Sequence, residues 1–213
     1  MQQGYKMLIE YLTSLIECRD FTAEHHCEQI RRLTEIMLEK IQRFCPEYKL
    51  SPEMCQRISF AATMHDLGKI SISDRILQKP GRLTFEEFEI MKNHTRKGQQ
   101  IFEHVLQNIE KNSPDYALFQ CCAEVCLYHH ERFDGGGYPE GLKGEDIPIS
   151  AQVVGLMDAY DALVSERIYK PAYKKDDAFE MIVEGECGLF NPRLIEIFRM
   201  VRMELEEVLE ETE

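Results

Sequence analysis

The chain has 213 residues, 44% hydrophobic and 30% charged, enough to bury a full core as one compact domain, and its net charge of −13 argues against a general nucleic-acid-binding surface, which needs clustered Lys and Arg. No stretch approaches the roughly 18 consecutive apolar residues that span a bilayer, so no membrane segment is expected. The start, "MQQGYKMLIEYLTSLIECRDF", lacks the basic, apolar and small-residue order of a secretion signal, which makes the cytoplasm the expected location.

In chain order, Leu8, Leu12, Leu15 and Ile16 and then Ile30, Leu33, Met37, Ile41 and Phe44 keep near-helical spacing and predict two helices in the first fifty residues. "CPEYKLSPEM" interrupts them, with Ser51 as cap and Pro52 at the first position of the next helix. That helix continues through "RISFAATMHDLGK", where Gly68 is expected to close it. After the breakers Lys79, Pro80 and Gly81, Thr84 and Glu87 form a capping box, and helical patterning then runs through "QQIFEHVLQNIEK" and "PDYALFQCCAEVCLYHHERF". "DGGGYPEGLKGEDIP" breaks the pattern with five glycines and two prolines, and a loop that long inside a compact domain is usually functional or disordered. Helices resume in "SAQVVGLMDAYDALVSERIY" and "NPRLIEIFRMVRMELEEVLEETE", and no strand pair is evident.

The eight cysteines form no CxxC pair and are read as reduced, mostly buried thiols. Cys121, Cys122 and Cys126, near two histidines, leave a soft metal site as the other reading. Among the seven histidines, His129 and His130 are adjacent. Neighbouring side chains on a helix diverge by roughly 100°, so these two are expected to reach different ions of a close pair rather than grip one. His65 and Asp66 repeat the device, and a carboxylate can bridge two metals where an imidazole cannot.

"HDLGK", "HHERFDGGGYP", "GLKGEDIP" and "DAYDALVSERIYK" resemble the signatures of HD-GYP domains, in the HD superfamily of metal phosphohydrolases, from about Asp20 to about Phe198. The resemblance implies a compact all-α fold with a long Gly-rich functional loop, residues 1–19 being a leading helix for packing, linkage or dimer formation and 20–213 the phosphohydrolase domain. It implies a centre of two iron or manganese ions held by His25, His65, Asp66, His94, His129, His130 and Asp158, with Asp66 as the bridge. Members with three metals carry a glutamate four residues before the first histidine; Phe21 stands there, which argues for two.

The implied reaction is hydrolysis of cyclic di-GMP to pGpG, and onward to GMP, by in-line attack of a metal-bridging hydroxide on phosphorus. Lys69 resembles the lysine on the scissile phosphate, Arg167 and Lys170 resemble cationic contacts to phosphate or guanine edges, and the face of Tyr138 is placed to stack on a base. Gly135, Gly136, Gly137 and Pro139 are read as backbone shape, Asp161 as either a carboxylate that orients a ligand histidine or an ordinary helix-surface aspartate, and His26 and His104 as surface or packing residues. The loop is also the family's proposed meeting point with diguanylate cyclases (GGDEF proteins). Two other readings stand beside the enzyme: a catalytically silent module that binds a cyclic dinucleotide or a partner, and a phosphodiesterase for a hybrid cyclic dinucleotide. A homodimer stays open.

Overall fold

The computed structural model describes Tyr11, Arg19 and residues 26–165 and 172–211. Among these residues the fold is all-α, without a strand. The helices are α1 (His26–Phe44), α2 (Pro52–Ala62), the single turn α3 (Asp74–Leu77), α4 (Phe85–Leu106), α5 (Pro114–Tyr128), α6 (Ile149–Val164), α7 (Lys175–Glu184), α8 (Pro192–Met200) and α9 (Arg202–Glu210).

Local chemistry sets the boundaries. Ser51 accepts the Met54 N–H at 3.2 Å with Pro52 following, Ser113 does the same for Tyr116 ahead of Pro114, and Thr84 with Glu87 closes the expected capping box. The helix that opens at this box runs without a break through Gly98 to Leu106. Glycine weakens a helix interior by only about 1 kcal/mol, which tertiary packing outweighs here.

The core forms around α6, whose residues Ser150–Asp161 are all buried, so it is packed on every side instead of showing one apolar stripe. Helix α1 lies against it through Ile30, Leu33, Met37 and Ile41, a spacing of three and four that keeps one face inward. On the other side the rings of Phe179 and Phe198 stack at 4.7 Å, with Tyr160 edge-on to Phe198 at 5.1 Å. Truncating a fully buried residue such as Leu33 to Ala removes about 2–5 kcal/mol.

Gly68 does not close α2. The helix ends at Ala62, and Gly68 lies inside a following 3-10 turn, Leu67–Ser71. Its role is close approach: a Cβ there would stand 1.8 Å from the His94 carbonyl oxygen. Gly155 does the same for α6, where a Cβ would meet the His129 carbonyl oxygen at 2.0 Å. These two contacts draw the segments carrying His65, Asp66, His94, His129 and Asp158 toward one point. Arg19 fixes the segment just beyond, donating to the carbonyls of Ile70 and Ile72 at 3.1 Å each and pairing with Asp74 at 2.7 Å.

Candidate metal centre

Three of the cluster's imidazoles are aimed by the backbone that carries them. Nδ1–H of His65 donates to Ala62 O at 2.8 Å, that of His94 to Met91 O at 2.8 Å, and that of His129 to Val125 O at 2.9 Å. A carbonyl three or four residues earlier therefore fixes each ring and leaves Nε2 as the inward-facing acceptor. Those three Nε2 atoms, with Asp66 Oδ1, are buried and have no hydrogen-bond partner among the described residues. Four orphaned polar atoms at one point would be costly in a finished core, and they are what a cation site requires.

Asp66 stands at the centre. Its Oδ1 lies 3.2 Å from His94 Nε2 and 3.8 Å from His129 Nε2, and its Oδ2 lies 3.3 Å from His65 Nε2 and 2.8 Å from Lys69 Nζ. Asp158, on α6, brings Oδ1 within 3.6 Å of His65 Nε2. Among the described residues, ligand atoms converge in three overlapping groups: Asp66 with His94, His129 and His130; Asp66 with His26 and His65; and His65 with His129 and Asp158. Asp66 is shared by the first two, as a bridging carboxylate would be.

His130 does not turn away from His129. The helix ends at Tyr128, His129 is its cap, and the two rings lie 4.0 Å apart, so both offer atoms to the same group and the expected divergence by helical geometry does not apply. His26 overturns its reading as a surface or packing residue. It is 7% exposed, its ring lies 5.3 Å from that of His65, and its Nδ1–H donates to Asp161 Oδ2 at 2.7 Å while Nε2 faces Asp158 at 3.9 Å. The signal for it was the register of α1: four residues back from Ile30 on the buried face is His26. His25 itself, with Phe21, Arg167 and Lys170, lies outside the described residues. Asp161 holds the orienting place expected of it, its other oxygen accepting Gln29 Nε2 at 2.7 Å. His104 is exposed, as expected.

The electrostatics follow from burying these groups together. Burial pushes the His129 imidazole down to about 3 and drives His130 and His94 down as well, the neighbouring imidazoles adding to the effect. For Asp66 burial works toward protonation, but Lys69 and His65 outweigh it and hold the carboxyl well below its usual range; for Asp158, His65 does the same. Burial opposes charge on His65, yet Asp66 and Asp158 raise it well above an ordinary histidine. Three imidazoles, His94, His129 and His130, are thus driven toward the neutral form beside two ionised carboxylates, while His65, between those carboxylates, is driven toward the cation.

Tyr138 stands over the rim, its ring 4.7 Å from that of His130 and edge-on to Phe88 at 6.0 Å, with Lys92 Nζ 5.6 Å above it. Burial, with Asp66 and Asp158, keeps its phenol protonated. None of the described cysteines joins the convergent groups; Cys126 donates to Met64 O at 3.0 Å, and burial raises its thiol well above the usual range.

This helical scaffold, with imidazoles and carboxylates gathered where five segments meet, defines a metal-binding domain of the HD type. Residues 19–194 match the family model described as HD domain. The chain belongs to that family, and its "HHERFDGGGYP" loop places it in the HD-GYP branch. It is 41% identical over 201 residues to a cyclic di-GMP phosphodiesterase of Thermotoga maritima, covering 94% of this chain and 50% of that one. It is 36% identical to the cyclic di-GMP phosphodiesterase response regulator RpfG of Xanthomonas campestris pv. campestris (98% and 51%), and 31% identical to a 3′3′-cGAMP-specific phosphodiesterase of Vibrio cholerae (92% and 35%). The chain spans about half or less of the length of these relatives. In fold it matches the crystal structure of a cyclic GMP-AMP-specific phosphodiesterase of Vibrio cholerae, with a TM-score of 0.63 at 17% identity over 97% of this chain and 51% of that one. No helix among the described residues is long and apolar enough to cross a membrane.

Proposed function

We propose that the chain is a metal-dependent phosphodiesterase that hydrolyses a 3′,5′ linkage of cyclic di-GMP, giving pGpG and then GMP. The observation that carries the reading is the convergence of His26, His65, Asp66, His94, His129, His130 and Asp158, with unpartnered buried atoms aimed at a common centre, in a chain whose relatives are named for this activity. In this reading His26 takes the place that the resemblance gave to His25, and the pocket holds two ions, iron or manganese. Whichever histidine is counted, the residue four earlier, Phe21 or Thr22, is not the carboxylate that accompanies a third metal. Bound ions supply Lewis acidity to the phosphoryl group and to water.

The protein's own groups divide the remaining work. Asp66 would hold both ions, and the Lys69 ammonium, next to it at 2.8 Å, would take a non-bridging oxygen of the scissile phosphate and balance charge as the linkage opens. Tyr138 offers a ring face beside His130 for a guanine, and Arg167 and Lys170 contact the phosphates or the guanine edges. Two carboxylates against two divalent ions leave the pocket cationic within an acidic protein, which suits a dinucleotide with two phosphates. The same reading places the enzyme in the cytoplasm, with diguanylate cyclases meeting the Gly-rich loop.

The second reading, a phosphodiesterase for the hybrid dinucleotide, rests on the 3′3′-cGAMP-specific relative. An anaerobic assay of iron- and manganese-loaded protein against cyclic di-GMP, 3′3′-cGAMP and cyclic di-AMP, with products separated by chromatography, decides between them. Preferred conversion of cyclic di-GMP supports the proposal; preferred conversion of the hybrid replaces it; and no conversion at full metal occupancy leaves a binding module.

A further inference from the structure

The Gly-rich loop leaves α5 beside the metal cluster and is fastened at Glu131, the residue directly after His130. Glu131 is 4% exposed, and its carboxylate accepts three successive backbone N–H groups: Glu140 at 2.8 Å, Gly141 at 3.1 Å and Leu142 at 3.0 Å. Backbone donors converging on one carboxylate form an anion nest, here occupied by the protein's own side chain. Two further ties join the same strips of backbone. Tyr138 N–H donates to His130 O at 3.2 Å, and Gly137 is seated so closely on residues 131 and 132 that a Cβ would come within 2.4 Å of Glu131 Cα and Arg132 N. Tyr138 is therefore enclosed between a segment that begins with a cluster histidine and a segment held by Glu131, and its ring rests 4.7 Å from that of His130.

We propose that Glu131 is a positioning residue for the nucleotide substrate: it acts through the loop, holding the Tyr138 ring against His130, and sets affinity for the cyclic dinucleotide without taking part in the metal chemistry. The carboxylate faces backbone N–H groups of its own loop, and Glu131 belongs to none of the convergent ligand groups. A phosphodiester too small to reach the loop should therefore be indifferent to it, whereas a dinucleotide should not. This inference rests on the phosphodiesterase reading of the site.

The test compares metal-loaded full chain with Glu131→Gln, which keeps the shape but turns an amide N–H toward the donors, and with Glu131→Asp, which keeps the charge on a shorter arm. KM and kcat are measured for cyclic di-GMP and for bis(4-nitrophenyl) phosphate, with metal content determined on the same samples. Glu131→Gln is expected to raise KM for cyclic di-GMP about tenfold, with Glu131→Asp recovering part of it, while kcat/KM for the small ester stays within about twofold and the ions stay bound; tenfold corresponds to about 1.4 kcal/mol. Should Glu131→Gln not fold, Glu131→Asp carries the same comparison. An unchanged KM, or a parallel loss of both activities together with metal, would overturn the proposal and leave Glu131 a general fold contact. Parent protein that cleaves the small ester but no cyclic dinucleotide would instead overturn the functional reading, and the substrate role of Glu131 with it.

Discussion

The floor and the rim of the pocket are built by different means. On the floor each element is a helix or its end, the imidazoles are aimed by carbonyls within their own turns or by Asp161, and backbone approaches at Gly68 and Gly155 fix the separations. The rim is irregular chain from His129 to Pro148, held by the Glu131 nest and by the half-buried Arg132, which donates to Cys187 O at 3.0 Å and lies over the Phe190 ring at 4.7 Å. Side chains on rigid elements hold ions to the tolerance that coordination needs, while a loop carries residues that choose the ligand. On the proposed function, the two constructions divide metal holding from substrate choice, and substitutions on each side should separate them.

The largest effect is expected on the floor. Asp66→Ala removes the group shared by two of the convergent sets, so both metal content and turnover should fall by more than about 100-fold, above the range seen when only an outer partner of a ligand is lost. Elemental analysis beside the assay checks it, and full metal retention would break the assignment of Asp66 as bridge. Lys69→Met should lower turnover by about 10²–10³-fold with metal content intact, since it removes charge at the phosphate but no ligand. Unchanged turnover would remove Lys69 from the chemistry.

Asp161→Asn comes next. Asparagine cannot accept on both sides as the carboxylate does, so the His26 ring loses its fixed tautomer, and metal affinity should fall about 10–100-fold by competition with a chelator, with far-UV dichroism unchanged. His26→Ala should follow the same direction, with His25→Ala close to parent; the reverse order would restore His25 to the ligand set. The smallest change belongs to the rim, where Glu131→Gln shifts KM and leaves the ions in place.

Much of this was legible in the sequence. The caps at Ser51 and Thr84, the apolar spacing of α1 and the glycine-rich break were readable because each rests on short-range chemistry. The histidines beside carboxylates pointed to a metal centre for the same reason. What escaped were matters of tertiary approach. Gly68 looks like a helix stop until His94 is seen against it, and His129 and His130 diverge only if the helix continues past Tyr128, which it does not. The burial of His26 escaped because composition does not show that it shares a face with Ile30 and Leu33. Glu131 stands inside the quoted motif, but its role was not readable, since its partners are backbone donors nine to eleven residues further on.

Seven side chains on five segments converge around Asp66, and the proposed function has them hold two cations. Its most direct test is metal counting on protein purified without air and reconstituted with iron or manganese, read together with its Asp66→Ala variant. The account predicts two ions per chain in the parent and loss of both with Asp66; three ions in the parent, none at all, or two that persist without Asp66 would contradict it.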